Sequence, residues 1–151
     1  MSEFERTRGR FTVSTDRALL DVAAIHAFLS GSAYWALGRP LALVERSIAN
    51  SALCFGLYDG AAQIGFARVI SDLTTFAYLG DVYVLDAYRG QGLGVWLIES
   101  VLAHPDLRDL RRFILMTKDA HGLYARFGFG PPADPEKHMQ RLIEPAPPPA
   151  E

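Results

Sequence analysis

The chain has 151 residues, 50% of them apolar and 21% charged, with a formal net charge of −2. At roughly 100–200 residues per domain this is one ordinary globular domain, and the balanced charge argues against a general grip on nucleic acid. A single cysteine excludes an internal disulfide framework or a multi-cysteine metal site, and neither a run of about 18 apolar residues nor a signal-peptide pattern is visible. The expectation is a cytoplasmic protein with no metal, no membrane and no nucleic-acid partner.

In chain order, the first ten residues are polar and are expected to fray. Phe11-Thr12-Val13-Ser14 alternates as a half-buried strand does. Thr15 and Asp16 offer helix caps, and Leu19, Val22, Ala23, Ile25, His26 and Leu29 follow with helical spacing. The run from Ser30 to Gly38 reads as a loop, and Pro40 opens a second helix that ends near Asn50. Leu53 to Tyr58 is a strand, Asp59-Gly60 a hairpin turn, and Gln63 to Ser71 the return strand. Thr75 to Leu85 is a third strand, in which Gly80 is the candidate for a bulge that changes side-chain parity. Asp86 to Gly90 turns the chain into a helix running to about Ala103. Phe113 to Thr117 reads as a buried strand, reached by a parallel crossover. A short helix spans Gly122 to Phe127, and Glu136 to Ile143 has room for a last strand or two. The domain is expected over residues 1–143, with residues 144–151 a disordered Pro/Ala tail.

The informative segment is Arg89-Gly90-Gln91-Gly92-Leu93-Gly94, between a strand and a helix. Glycines there let backbone amides approach a ligand, and the helix start carries unpaired N–H groups and partial positive charge, which suits a phosphate. A dinucleotide fingerprint fails, because the positions that would need its third glycine are Val95 or Leu97; a P-loop fails for want of Gly-Lys-Ser/Thr. The remaining pattern, Arg/Gln-x-x-Gly-x-Gly/Ala, follows Val82-Tyr83-Val84-Leu85-Asp86-Ala87-Tyr88. It resembles the acyl-CoA-binding motif of the GNAT superfamily of N-acyltransferases. The run from Ala120 to Phe129, with Tyr124 and Phe127-Gly128-Phe129, is similar to the second landmark of that family. The resemblance covers about residues 11 to 143.

The resemblance implies an α+β, three-layer fold with a mixed, mostly antiparallel sheet, a splayed central strand pair and helices on both faces. It implies an N-acetyltransferase that moves an acetyl group from acetyl-CoA to a primary amine of a small molecule or protein by direct attack. Backbone groups of Arg89, Gly90, Gln91, Gly92, Leu93 and Gly94 would hold the pyrophosphate, with the Arg89 side chain assisting. Val82, Tyr83 and Val84 would pair with the pantetheine arm, the Val84 N–H facing the oxyanion. Tyr124 matches the general acid, and Phe127 packs on the CoA arm or the sheet.

The general base is open between Asp81, Asp72 and water, because Tyr78 stands where the family often places a glutamate. Asp81 leads, with a substrate-amine anchor or a turn ligand as its other readings. Tyr34, Trp35, Arg68 and Asp72 are the acceptor-binding candidates; Arg68 is alternatively an ion-pair partner of Asp81 or Asp72. His26 reads as structural and Cys54 as inert core. A homodimer is left open. The alternative function is a CoA-binding sensor without turnover.

Overall fold

The computed structural model describes residues 3–143; the tail expected over 144–151 lies outside them. The chain divides into a larger compact unit up to Lys118 and a smaller one from Asp119.

The larger unit is built on a six-stranded sheet in sequential order. β1 is Glu5–Arg8, β2 Phe11–Ser14, β3 Leu53–Asp59, β4 Ala62–Ser71, β5 Phe76–Val84 and β6 Arg112–Leu115. Neighbours from β1 to β5 are antiparallel, and β5 and β6 are parallel. Helix α1 spans Val22–Ser32, α2 Leu41–Ala49 and α3 Leu93–Leu102. Asp16 caps a 3-10 turn, while the cap of α1 is Asp21, whose carboxylate accepts the Ala24 N–H.

Helices cover both faces of the sheet. On one face Ile25 and Leu29 of α1 and Val44 and Ile48 of α2 pack with Cys54, Phe66 and Tyr83. On the other, Phe55 meets His104 just past α3, with ring centroids 5.9 Å apart. Leu93, Trp96, Leu97, Ile98 and Val101 of α3 are all buried, which explains the two apolar stripes in its sequence.

Three expectations are corrected. Residues 5–8 are not frayed: β1 pairs with β2 along its length, because a polar strand with only one buried neighbour still satisfies its backbone through the ladder. The Phe113 segment is a short, partly exposed strand rather than a buried one. The segment 136–143 contributes no strand; it holds a 3-10 turn over Pro135–Lys137. The smaller unit also contains the short helix α4, His121–Ala125.

Candidate active site

The site grows from two irregularities in β5. Arg68 of β4 stands opposite Gly80, and Phe66 stands opposite Tyr83. Two steps on β4 therefore match three on β5, the count of a β-bulge. The strained residue is Asp81, at φ 53°, a backbone region that side chains other than glycine rarely enter. Gly80, the residue suspected from sequence, is the last regular pair before it.

The second irregularity is where β6 stops. Its ladder with β5 runs from Phe76 opposite Arg112 to Leu79 opposite Leu115, while β5 continues to Val84. Beyond Leu79 the β5–β6 ladder ends. On the other edge, the Leu85 N–H donates to the Ile64 carbonyl at 2.8 Å, and Gly65 stands opposite Val84. Hydrogen-bonded and non-hydrogen-bonded pairs alternate in an antiparallel ladder. The Val84 N–H therefore points away from β4, toward the edge that β6 has left.

After Val84 the chain makes a 3-10 turn at Asp86–Tyr88 and enters the glycine segment. Gly92 is the N-cap of α3 at φ 73° in the left-handed region, and no side chain caps the helix there. Gly94 differs, because it has no positive φ and a Cβ added to it would meet nothing within 4 Å. Neither backbone nor packing demands glycine at Gly94, and a helical glycine costs about 1 kcal/mol against alanine. Close approach of a ligand does account for it. Arg89 is exposed and pairs with Asp86 at 3.1 Å. A second arginine comes from β1: Arg8 donates to the Gln91 carbonyl at 3.2 Å and lies 5.2 Å from the Trp96 ring centroid.

At the bulge Asp81 is buried, and both of its carboxylate oxygens are engaged. Oδ1 accepts the Trp35 indole N–H at 2.8 Å. Oδ2 accepts Arg39 Nη1 at 2.9 Å and Arg68 Nε at 3.0 Å. Arg68 also donates to Ser51 Oγ at 3.2 Å. His26 Nε2 lies 3.1 Å from the Arg39 carbonyl, a contact that ties α1 to the Arg39 backbone. The loop's other aromatic, Tyr34, accepts the Lys118 N–H at 2.9 Å, and the Lys118 ammonium sits 5.3 Å from its ring centroid. Burial, then the Asp81 charge, pushes the Tyr78 phenol above its ordinary value.

Residues 50–131 match the family described as the acetyltransferase (GNAT) domain. A Gibberella zeae protein named for acetyltransferase activity is 37% identical over 142 residues, which cover 80% of this chain and 78% of that protein. The chain belongs to the GNAT acetyltransferase family. A crystal structure of a GNAT-family protein from Xanthomonas campestris pv. campestris has 56% sequence identity and a TM-score of 0.85, covering 88% of this chain and 93% of that one. A Glycine max histone acetyltransferase is 34% identical over 110 residues, 65% of this chain but only 47% of its own length.

Within this GNAT domain, several expected site residues take definite places. The glycine segment opens α3, and Val82, Tyr83 and Val84 lie on β5 past the last β6 pair. The Tyr83 side chain is core, stacked on Phe28 at 3.9 Å, so only its backbone faces the gap. Arg68 pairs with Asp81 and not with Asp72. Asp72 caps its own turn instead, accepting from the backbone N–H groups of Thr74, Thr75 and Phe76 and from the Thr75 hydroxyl. At about 3.3 Å per residue, the length of β5 keeps Asp72 more than about 20 Å from Val84. Asp72 therefore lies at the opposite end of β5 from Val84.

Asp81, the leading base candidate, is an ion-pair acceptor for Arg68, one of the readings of Arg68 from sequence, and two guanidinium groups and an indole hold its oxygens. Cys54 is buried, and burial raises its thiol pKa, as inert core requires. In the smaller unit, Tyr124 is buried on α4 with its ring 6.0 Å from that of Phe129, and Phe127 is half-buried. Two residues were missed by sequence reading. Arg39 is 42 positions from Asp81, a separation that carries no local pattern. Arg8 lies in a segment expected to fray.

Proposed function

We propose that this chain transfers an acetyl group from acetyl-CoA to a primary amine by direct attack. The observation that carries the reading is the pairing of an uncapped, glycine-lined start of α3 with a β5 edge that β6 has left at Val84. Both features fit the group: the amides from Arg89 to Gly94 suit the pyrophosphate, and the backbone of Val82 to Val84 suits an amide-bearing arm. Arg89 and Arg8 would add charge at the phosphates. When bound, acetyl-CoA supplies an acyl thioester activated toward nucleophiles.

The chain's own groups then have three tasks. The Val84 N–H donates to the carbonyl oxygen as negative charge gathers there. Tyr124, assigned from the motif pattern, donates its proton to the departing thiolate. The ammonium form of the acceptor, with a pKa near 10, must lose a proton before it attacks. Asp81 is engaged by three donors, and Tyr78 is pushed away from ionising, so water is the proton acceptor in this reading. Asp81 acts as a positioning residue that holds Trp35, Arg39 and Arg68. A cytoplasmic place of action belongs to the same proposal.

The engaged state of Asp81 also suits a CoA-binding regulator without turnover. Thiol release from acetyl-CoA on addition of a panel of amines separates the two. Release with any amine supports the transferase, and tight CoA binding without release supports the regulator. Gly92→Glu, which puts a side chain and a negative charge into the phosphate turn, is expected to abolish CoA binding. Retained affinity would refute the placement of the site.

A further inference from the structure

The cluster at the β5 bulge is not charge-balanced. Arg39 and Arg68 share one carboxylate, Asp81, whose side chain is 3% exposed; the arginines are 24% and 13% exposed. No other ion pair of either arginine occurs among the described residues. One positive charge is therefore in excess where screening by water is weak. Arg39 Nη1 and Arg68 Nε are taken by Asp81, and Arg68 Nη1 by Ser51. The planar guanidinium carries five N–H donors, so each arginine keeps donors beyond these contacts. A third cation stands at the same loop, since the Lys118 ammonium lies over Tyr34. Tyr34 and Trp35 are themselves 49% and 42% exposed, unusual for large aromatics and typical of the walls of a binding site. Three residues along β5 separate Asp81 from Val84, or about 10 Å. An acceptor whose amine reaches the Val84 edge can thus extend its far end over the cluster.

We infer that the acceptor is a small amine that carries its own oxyanion, a carboxylate or phosphate, placed against Arg39 and Arg68 with its body along the exposed side of the Tyr34–Trp35 pair, whose rings pack edge to face at 5.1 Å. This rests on the transferase reading above and names its substrate class. The same excess charge repels polyamines and the lysine-rich tails of basic proteins. Carboxylate and phosphate offer the guanidinium the same paired-oxygen geometry, and the assay distinguishes them.

The test uses the full chain with acetyl-CoA and matched amines long enough to span the distance from Val84 to the cluster: 6-aminohexanoate against its amide, 6-aminohexyl phosphate against 6-aminohexanol, and spermidine. At least one anionic member is expected to exceed its neutral partner at least tenfold in kcat/KM, and spermidine to be the poorest acceptor. Which anionic pair shows the gap tells carboxylate from phosphate. Arg39→Gln is expected to shrink that gap at least fivefold, mainly through KM, and Arg39→Lys to restore part of it. Equal rates for both members of each pair, or a preference for spermidine, overturn the inference. So does an Arg39→Gln effect that is the same on both members. If no amine releases thiol, the transferase reading fails, and calorimetry with the same compounds and CoA present decides this one alone. Tighter binding of an anionic member by tenfold or more sustains it, and equal binding sinks it.

Discussion

Asp81 holds the site together from a backbone conformation that works against it. Its φ of 53° is costly for a residue with a side chain, by about 1–3 kcal/mol. Three donors on its buried carboxylate offset that cost. Asp81→Asn leaves two guanidinium groups without their carboxylate and is expected to lower stability by roughly 3 kcal/mol. Urea unfolding measures it, and a loss under about 1 kcal/mol would show that the ion pairs do not hold the bulge. Asp72 is the contrasting carboxylate. It is exposed, and hydrogen bonds from the Thr75 hydroxyl and from the backbone of Thr75, Thr74 and Phe76 hold its pKa well below the ordinary carboxylate range. A depressed carboxylate pKa stabilises the fold fully above the unfolded value, near 3.9. That contribution is lost only as pH falls through the lower folded value. The stability difference between the wild type and Asp72→Ala is therefore expected to persist at neutral pH and to shrink only below about pH 4. A difference that vanished already at pH 6 would contradict the turn geometry.

At the scale of elements, the start of α3 separates what the fold needs from what a ligand needs. Gly92 is required by the fold, because its φ of 73° suits only glycine well. Gly94 is helical and faces open space. Gly94→Ala is accordingly expected to stabilise the protein by about 0.5–1 kcal/mol while weakening acetyl-CoA binding at least tenfold. Thermal unfolding and calorimetry read the two effects on one variant. Equal CoA affinity would mean that no ligand approaches this glycine. The motif itself was legible in sequence because it is local, with strand, glycine turn and apolar helix within a few residues. The bulge was half legible. Gly80 marked the region, but the residue displaced is Asp81, since the register is settled by β4 across the ladder and not by β5 alone.

For the whole molecule, the reading divides the chemistry among separate segments. Binding falls to β5 and α3, acceptor selection to the segment between α1 and α2, and the acid role to Tyr124. Tyr124→Phe keeps the ring and removes only the hydroxyl. It is expected to lower turnover about a hundredfold with acetyl-CoA affinity unchanged; an unaltered rate across pH would remove the acid role. β1 was missed because a four-residue polar strand has no hydrophobic signature, and its pairing with β2 is visible only once both are folded. A last strand was expected where the chain forms a 3-10 turn, because a few apolar residues among charges satisfy a strand pattern without any ladder to join.

The sequence by itself determined the family, the order of strands and helices from β2 to α4, and the glycine turn before α3. Each of these rests on spacing between near neighbours, which propensity, periodicity and turn chemistry control. Only the tertiary structure decided what Asp81 does. Its partners Trp35, Arg39 and Arg68 lie 46, 42 and 13 positions away. Packing α1 and α2 on the sheet brings them to one carboxylate, a convergence of distant residues that no local pattern in the sequence encodes.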